Sequence, residues 1–522
     1  MTTPISLLPR IVLDGAERHG ARLALQDPQR SVSHAELAER ALRAAAGLRA
    51  LGVQAGDRVA LVLPNSVGFA EAHFGVLLAG AVSMPMDAAV APESFRFMAA
   101  SALPRVLITT AAGAARLAPF DAGLRVVCLD AAAPGALGPE ALFDAAAPRA
   151  FLDGVGEDSL ASLMFTTGTT GRAKGVRLSH ANVLHALHHI GRFVGYSASD
   201  REVVILPLSH NFGLGHLYCN LIHGGAVYTE GGLARVGRVL DMVQRFGATG
   251  FPGTPTGFGM LIDRFGPVLA ERCANLRFSV INSAPLPPER AAQLQALLPR
   301  TELMAYYGLT EASRSAFISL TREGPARHRS VGRPLGDTRI EIRREDGTRA
   351  AAGETGEIVI QGPTVTAGYW DNEADTRAAL RDGWLWTGDL GVLDAEGFLT
   401  VNGRLKDIVN VGGYKVNPLE VERVLAALPG VADVGVAGVE GVDGATGERV
   451  VAAIVAAKGA LPDLAAAEAE CARRLERFKC PARIVLVDAI PRTDSGKLLR
   501  PRLAALLAER LAAVSAPEVQ HA

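Results

Sequence analysis

Residues 166–176 read Thr-Thr-Gly-Thr-Thr-Gly-Arg-Ala-Lys-Gly-Val, a run with four hydroxyl groups, three glycines and two cations. Glycines let the backbone approach a ligand closely, hydroxyl and N–H groups donate hydrogen bonds to oxyanions, and lysine and arginine neutralise charge. The run therefore predicts a loop that binds a polyphosphate. It is not a Walker A loop, because Lys174 stands between Ala173 and Gly175 and no serine or threonine follows it directly.

The composition is that of a large compact protein with no electrostatic preference for nucleic acid. The chain has 522 residues, 49% of them hydrophobic, and a net charge of -1, so no basic field is present to neutralise nucleic-acid phosphates. Five cysteines stand singly without a CxxC pair, which argues against a disulfide framework or a zinc site and suits a reducing compartment.

The sequence shows no targeting or membrane-spanning pattern. Its first residues lack the basic start and apolar core of a signal peptide, and the most apolar stretch, residues 74–86, is too short and interrupted to span a bilayer. We therefore expect a cytoplasmic protein with no transmembrane segment and no nucleic-acid partner.

The chain is organised as alternating helical and strand-like segments followed by a smaller unit. Residues 33–36 form a capping-box pattern ahead of a helix that Gly52 would end. Apolar runs predict buried strands at 59–63, 105–108 and 125–129. This alternation favours an α/β fold with βαβ units and a mostly parallel sheet.

The pattern changes after about residue 320. Turn-rich segments there predict shorter, antiparallel strands, and from Lys406 onward the pattern is that of a small α+β unit, with a helix start at Asn417-Pro418. The later elements of that unit are expected as strands at 433–439, 449–456 and 483–487 and a helix near 463–477. We predict two domains, residues 1–404 and 405–522.

Five segments, taken together, resemble the signature motifs of the adenylate-forming superfamily of acyl-CoA synthetases, adenylation domains and luciferases. They are the loop at 166–176, Tyr306-Tyr307-Gly308-Leu309-Thr310-Glu311, Thr387-Gly388-Asp389, Gly403-Arg404-Leu405-Lys406-Asp407, and Pro491-Arg492-Thr493-Asp494-Ser495-Gly496-Lys497. Their order and spacing are similar to those of the family over roughly residues 10–505. The resemblance implies a large N-terminal domain of mixed βαβ sheets, a β-barrel-like subdomain and a small mobile C-terminal domain.

The resemblance also implies a two-step reaction with ATP, Mg²⁺ and coenzyme A. A small carboxylic acid attacks the α-phosphate of ATP, pyrophosphate leaves, and a thiol then displaces AMP from the acyl-adenylate. Because both reactants of the first step are anions, the site must supply positive charge. Lys497 is implied to be the main cation of this step, against a solvated surface lysine as the alternative.

The resemblance assigns the nucleotide contacts by position. Glu311 would bind Mg²⁺, Thr310 would donate to the α-phosphate, and Tyr307 would stack on adenine, with an aromatic core pair as the alternative for Tyr306 and Tyr307. Asp389 and Arg404 would hold the ribose or phosphate, with an ion pair as the alternative. The other implied contacts are Thr166, Thr167, Gly168, Thr169, Thr170 and Lys174 on the phosphates, and Ser283, Ala284, Pro285, Tyr306 and Gly308 around adenine.

A hinge and a thiol-facing strand are implied near the domain boundary. Lys406 corresponds to the hinge, and Gly412, Gly413 and Lys415 lie where the family presents backbone to a pantetheine arm. A structural bulge is the alternative for the two glycines.

The acid-binding residues are implied less sharply. His210 would orient the carboxylate, unless it is a hydrogen-bonded core histidine, and Asn211, Phe212 and Phe258 would line the pocket. Asn211 stands where amino-acid adenylation domains carry an aspartate, which disfavours an α-amino acid. Arg314 would meet a second polar or anionic group of the substrate or form a structural salt bridge, and we favour the salt bridge.

The identity of the thiol acceptor stays open at this point. Coenzyme A is favoured, and the phosphopantetheine of an acyl carrier protein is the alternative, since both present the same arm. A nucleotide-binding relative without catalysis is the alternative of another class, and retention of both Lys497 and Glu311 argues against it. The acid's chain length and the choice between monomer and homodimer are not readable from the sequence.

Overall fold

The computed structural model describes residues 5–120, 123–145, 148–167, 173–284, 286–442, 447–493 and 498–515. The chain forms two compact units, the first made of Met1–Ile340 with Val359–Trp386 and the second of Glu341–Ile358 with Thr387–Ala522. Both units mix helices and strands, as the α/β prediction requires.

The first unit contains two mainly parallel sheets and one mixed sheet. The first sheet has the order β2-β1-β10-β9, with β1 Leu23–Gln26, β2 Ser31–Ser33, β9 Arg201–Val204 and β10 Ala226–Thr229. The second has the order β6-β5-β3-β4-β7-β8, with β3 Arg58–Val62, β4 Val82–Met86, β5 Val106–Thr109, β6 Arg125–Cys128, β7 Leu160–Thr167 and β8 Ala173–Ser179. The third has the order β11-β12-β13-β14, with β11 Phe278–Ile281, β12 Glu302–Leu309, β13 Ala312–Ser319 and β14 Arg333–Pro334.

Helices cover these sheets and connect their strands. They are α1 Arg10–His19, α2 His34–Ala50, α3 Val67–Leu78, α4 Pro92–Ala102, α5 Ala111–Leu117, α6 Glu140–Phe143, α7 His180–Val194, α8 Asn211–His223, α9 Val236–Arg245, α10 Pro255–Arg272, α11 Pro288–Leu297, α12 Leu320–Glu323 and α13 Glu373–Ala379. Among the described residues, none of the helices has the length and apolar character that a membrane span requires.

The predicted local signals of this unit are confirmed. The Ser33 hydroxyl accepts a hydrogen bond from the Glu36 N–H at 3.2 Å, and the Glu36 carboxylate accepts one from the Ser33 N–H at 2.7 Å, so the capping box starts α2. Strands β3, β5 and β6 occupy the predicted apolar runs and pair in parallel. Gly52 adopts a positive φ of 82° just after the end of α2, a conformation that glycine tolerates best.

The second unit contains short antiparallel strands and an α+β region. The helices and strands of this unit, with the strands in which the chain passes between the units, are β15 Arg339–Arg343, β16 Gly356–Gln361, β18 Trp384–Leu393, β19 Leu399–Arg404, β20 Val409–Val411, β21 Tyr414–Val416, α14 Pro418–Ala426, β22 Val431–Glu440, β23 Glu448–Ala456, α15 Leu464–Arg474, β24 Arg483–Leu486 and α16 Arg500–Ser515. Strand β17, Leu380–Arg381, lies within the first unit. The predicted Asn417 cap is confirmed, because its side chain accepts from the Leu419 N–H at 3.1 Å. The domain boundary at 404–405 stays a prediction.

Buried neutral histidines make the first unit sensitive to acid. His180 is 2% exposed, and its Nδ1 accepts a hydrogen bond from the Leu8 N–H at 3.2 Å, which requires an unprotonated nitrogen. Burial lowers the pKa of His180 from 6.5 to about 4. Because the folded-state pKa is the lower one, this contribution to stability is complete above pH 6.5 and is lost as pH falls toward 4.

We therefore expect His180→Asn to flatten the pH dependence of stability. The Asn Oδ1 can accept the Leu8 N–H but does not titrate, so the variant should lose less stability between pH 6.5 and pH 4, by at most roughly 3 kcal/mol. Denaturant unfolding at several pH values measures this difference, with His223→Asn, a partly exposed histidine, as the control. Equal pH slopes for His180→Asn and the unmodified protein would contradict the interpretation.

Candidate active site

A single strand edge gathers most of the predicted site residues of the first unit. Residues 250–253 lie between β9 and β11 and run parallel to both. Gly250 pairs with Glu202 of β9 and with Phe278 of β11, and Gly253 pairs with Ile281 of β11. Strand β11 in turn pairs in parallel with β12. Parallel strands end at the same edge of a sheet, and that edge is where α/β proteins bind ligands. The segments that follow β9, residues 250–253 and β11 contain His210, Thr254 and Ser283, and Tyr307 lies near the end of β12.

Two backbone features at this edge depart from ordinary strand geometry. Ser283 has a φ of 91° and Arg314 a φ of 58°, both in the left-handed region that non-glycine residues rarely adopt. Such conformations persist where the surrounding structure imposes them, and they concentrate at functional sites. Pro285 lies outside the described residues, so the Ser283-Ala284-Pro285 prediction is placed only in part.

The predicted magnesium ligand lies at the turn between β12 and β13. Thr310 and Glu311 form this turn and are half-buried. The Tyr369 hydroxyl donates a hydrogen bond to Glu311 Oε1 at 2.9 Å. Burial and the Glu311 carboxylate raise the pKa of Tyr369, which keeps the phenol protonated as a donor.

Tyr369 also contacts the cation of the predicted phosphate loop. Lys174 Nζ lies 5.3 Å from the Tyr369 ring centroid and forms an ion pair with Asp375 Oδ2 at 2.7 Å. The hydrogen bond from Lys174 lowers the pKa of Asp375. The structure therefore places Glu311, Tyr369, Lys174 and Asp375 side by side.

The phosphate loop itself is only partly described. Thr166 is the strand partner of Lys174 in the β7–β8 hairpin. Gly168, Thr169 and Thr170 lie outside the described residues, as does the side chain of Thr167. Their predicted phosphate contacts stay predictions.

Both tyrosines of the motif are buried. Tyr306 is 5% exposed and packs edge-on against Phe212 in the hydrophobic core, with ring centroids 5.7 Å apart. Tyr307 is its neighbour in β12 and faces the other side of the strand. Gly308 lies close to the backbone of Arg314, because a Cβ at position 308 would lie 2.4 Å from the Arg314 backbone nitrogen.

The acid-binding candidates are brought together in part. His210 is exposed and precedes Asn211, the first residue of α8, and Phe212 follows in the first turn. Phe258 is 1% exposed and packs against Phe251, with centroids 5.8 Å apart, so its ring belongs to the core behind the strand edge.

The favoured salt bridge of Arg314 is wrong. No carboxylate of the described residues lies within 4.0 Å of its guanidinium. Arg314 Nη1 instead donates to Ser313 Oγ at 2.9 Å, and Nη2 donates to the Asn211 carbonyl at 2.9 Å. The sequence shows that a charge is present at position 314, but it does not show the neutral surroundings.

In the second unit, the two predicted ribose-binding residues form a pair. Asp389 and Arg404 are opposite one another in the β18–β19 ladder, and Arg404 Nε lies 2.8 Å from Asp389 Oδ1. Asp389 is 4% exposed, whereas Arg404 is only partly buried, so the pair joins a buried carboxylate to a partly exposed guanidinium. The arginine orients the carboxylate.

The predicted hinge and thiol-facing residues lie in the same unit. Lys406 is exposed within a 3₁₀ turn at Leu405–Asp407. Gly412 and Gly413, with φ of 58° and 91°, form the two-residue turn between β20 and β21, a conformation that favours glycine at both positions. Lys415 Nζ forms an exposed ion pair with Glu345 at 2.9 Å. Lys497 lies outside the described residues, so its position stays a prediction.

Sequence reasoning missed Tyr369 and Asp375. Nothing in the local pattern around Gly368-Tyr369-Trp370 shows that the tyrosine meets a carboxylate 58 positions earlier. The glycine followed by two aromatic residues is a signal that could have drawn attention to this segment.

The chain resembles known proteins along nearly its whole length. The family model described as AMP-binding enzyme matches residues 13–370, and the one described as AMP-binding enzyme C-terminal domain matches residues 420–497. The oxalate–CoA ligase of Arabidopsis thaliana is 32% identical over 480 residues, which are 90% of this chain and 92% of that protein. The sulfoacetate–CoA ligase of Cupriavidus necator is 35% identical over 464 residues, 87% of this chain and 88% of that protein.

A solved structure agrees with the fold. The crystal structure of ATP-bound MatB from Rhodopseudomonas palustris has a TM-score of 0.85 at 29% identity and covers 97% of this chain and 100% of that one. Fold, site and relatives define an enzyme of the AMP-forming ligase class. The chain belongs to the AMP-binding enzyme family.

The Tyr369–Glu311 contact gives a testable prediction. Tyr369→Phe removes the hydroxyl that donates to Glu311 but keeps the ring beside Lys174, so we expect an approximately tenfold weaker apparent Mg²⁺ affinity, since a hydrogen bond to a charged group contributes about 1.5–3 kcal/mol. Titration of pyrophosphate–ATP exchange with Mg²⁺ measures it. Tyr414→Phe, at an exposed tyrosine of the second unit, is the control. Unchanged Mg²⁺ dependence in Tyr369→Phe would contradict the assigned contact.

Proposed function

We propose that this chain activates a small carboxylic acid with ATP to an acyl-adenylate and transfers the acyl group to coenzyme A. The observation that carries this function is the side-by-side arrangement of Glu311, Tyr369 and Lys174 next to the phosphate-loop hairpin. A carboxylate suited to a hard cation and a lysine suited to phosphate oxygens are the two groups that a magnesium polyphosphate needs.

The residues fit Mg²⁺ without a preformed metal cluster. No group of three or more His, Cys, Asp or Glu side chains with metal-binding geometry occurs in the described part of the chain. Mg²⁺ is commonly bound by one or two carboxylates together with substrate phosphates, so Glu311 is sufficient as the protein ligand. When bound, the ion would neutralise charge on the leaving pyrophosphate.

In the first step, one carboxylate oxygen of the acid attacks the α-phosphorus and the bond to pyrophosphate breaks. Thr310 donates a hydrogen bond to an α-phosphate oxygen, and Lys174 contacts the departing phosphates once it exchanges Asp375 for them. Lys497 supplies the charge that lets the two anions approach, and His210 orients the acid. Asp389, held by Arg404, accepts hydrogen bonds from the ribose hydroxyls.

In the second step, the thiol sulfur attacks the acyl carbon and AMP leaves with the electron pair of the broken bond. A carboxylate is a poor acylating agent, and the adenylate makes this displacement feasible. Gly412 and Gly413 lack side chains in an exposed turn, which suits the approach of a pantetheine arm. Lys406 acts as the hinge about which the small domain rotates between the two steps. We place the boundary of this mobile domain at 404–405.

A carrier-protein phosphopantetheine is the second candidate acceptor. The turn that suits the arm of coenzyme A suits this arm equally. A cytoplasmic reaction accords with the five cysteines, which form no disulfide.

A panel of acids tests the function directly. Purified protein with Mg²⁺ and ATP is incubated with aliphatic, aryl and dicarboxylic acids, with and without coenzyme A, and pyrophosphate release is measured. We expect release that depends on one class of acid and a thioester product only when coenzyme A is present. Absence of pyrophosphate–ATP exchange with every acid would overturn the proposal.

Lys497→Ala separates the two steps. Loss of a preorganised charge donor lowers a rate by roughly 10²–10³, so we expect the variant to lose most acid-dependent pyrophosphate release. Thioester formation from preformed acyl-adenylate should be retained. Both rates are measured on the same preparation, and equal loss of the two would show that Lys497 has another role.

A further inference from the structure

Arg314 is a buried cation without a charged partner. It is 2% exposed, and its two hydrogen bonds go to neutral oxygens, those of Ser313 and the Asn211 carbonyl. Its Nε is buried and has no hydrogen-bond partner among the described residues. Burial of a charge is costly unless it is paired, so this arrangement leaves most of the charge of Arg314 uncompensated.

The surroundings are shaped to hold the guanidinium in place. A Cβ added at Gly215, on α8, would lie 1.7 Å from Arg314 Nη2, so the space for the guanidinium exists only because residue 215 has no side chain. The Tyr306 ring lies below the guanidinium, with its centroid 5.4 Å from Cζ. An arginine that merely covered the surface would need neither the glycine nor the aromatic ring.

A buried carboxylate of the first unit, Glu202, already has partners of its own. Glu202 is fully buried and accepts hydrogen bonds from His216 Nδ1 at 2.8 Å and from Asn220 Nδ2 at 2.6 Å. It forms no ion pair with Arg314 within 4.0 Å. Glu202 and Arg314 both influence the buried Tyr196 hydroxyl, whose pKa burial raises, but neither neutralises the other by direct contact.

Unpaired hydrogen-bonding groups accompany Arg314 around one cavity. This cavity is narrow and is lined by Arg314, Asn211, Ser313 and Thr364, by Asn182, and by the apolar residues Leu178, Val183 and Ala186. Asn211 Nδ2 and Thr364 Oγ1 are buried and have no partner among the described residues. Guanidinium, amide NH₂ and hydroxyl are all donors, so the group that satisfies them together is an acceptor with negative charge.

We propose that the acid activated by this enzyme carries a second anionic group, a carboxylate or sulfonate, which Arg314 binds together with Asn211 and Thr364. This inference rests on the proposed function and names its substrate class. Asn211 follows His210 directly in the chain, so the second anion would bind beside the residue proposed to orient the reacting carboxylate.

The experiment compares acids that differ only in the second anion. Rates of pyrophosphate release, expressed as kcat/KM, are measured for malonate against propionate, succinate against butyrate and glutarate against pentanoate, with sulfoacetate as the sulfonate counterpart of malonate. We expect at least one dianion to be preferred over its monoanionic partner by roughly 100-fold, because an unpaired buried charge is left when the second anion is missing.

Variants then assign the preference to Arg314. Arg314→Gln should raise the KM of the dianion by roughly 100-fold with the KM of ATP unchanged, and Arg314→Lys should recover part of the loss. Gly215→Ala should have the same effect as Arg314→Gln, because its methyl group occupies the guanidinium position. Arg473→Met, at an exposed arginine of α15, is the matched control and should leave all values unchanged.

The outcomes distinguish the inference from the function on which it rests. If no acid supports pyrophosphate release, the proposed function fails and this inference fails with it. If monoanions are used as well as their dianionic partners, the substrate class is wrong although the enzyme is a ligase. A dianion preference that survives in folded Arg314→Gln would overturn the role of Arg314. The comparison of acids on the unmodified protein decides the substrate class even where a variant does not fold.

Discussion

The parallel alignment of β9, residues 250–253, β11 and β12 is the constraint on which the site in the first unit depends. Strands that run the same way end at the same edge, so residues that are nearly a hundred positions apart become neighbours without any specific attraction between them. The pairing is maintained by strands that are mostly buried, and Gly250 permits close packing because a Cβ there would meet the Phe278 ring at 2.5 Å. Packing thus determines where the chemistry can occur, and the segments after each strand determine what that chemistry is.

Charge compensation explains how the cations of the first unit are arranged. A polyphosphate and a carboxylate repel one another, and the first unit provides donors and cations around the space where the two would meet. Each cation needs a compensating charge, and Asp375 supplies it for Lys174 at 2.7 Å. Arg314 differs, because its hydrogen bonds are all to neutral groups. In the proposed function Lys174 would exchange one anion for another on binding, whereas Arg314 would gain its first.

Much of the fold could be predicted from the sequence because its signals are local. The capping box at Ser33, the cap at Asn417 and the apolar runs of β3, β5 and β6 depend on neighbours within a few positions. The contacts within the site could not be predicted, since Tyr369 meets Glu311 and Asp375 meets Lys174 only after the chain has folded. The expected salt bridge of Arg314 was wrong for the same reason: a sequence shows that a residue is charged, but not that a distant glycine leaves a neutral space for it.

The contact between Gly215 and Arg314 also limits how this enzyme can change over evolutionary time. Any larger side chain at position 215 collides with the guanidinium while Arg314 is present, and loss of Arg314 alone leaves an empty buried space above a glycine. Whichever substitution occurs first gives an impaired protein. We therefore expect the residues at positions 215 and 314 to change together. Among descendants of a common ancestor, a switch in the preferred acid would then appear as a coordinated double replacement rather than as a gradual drift.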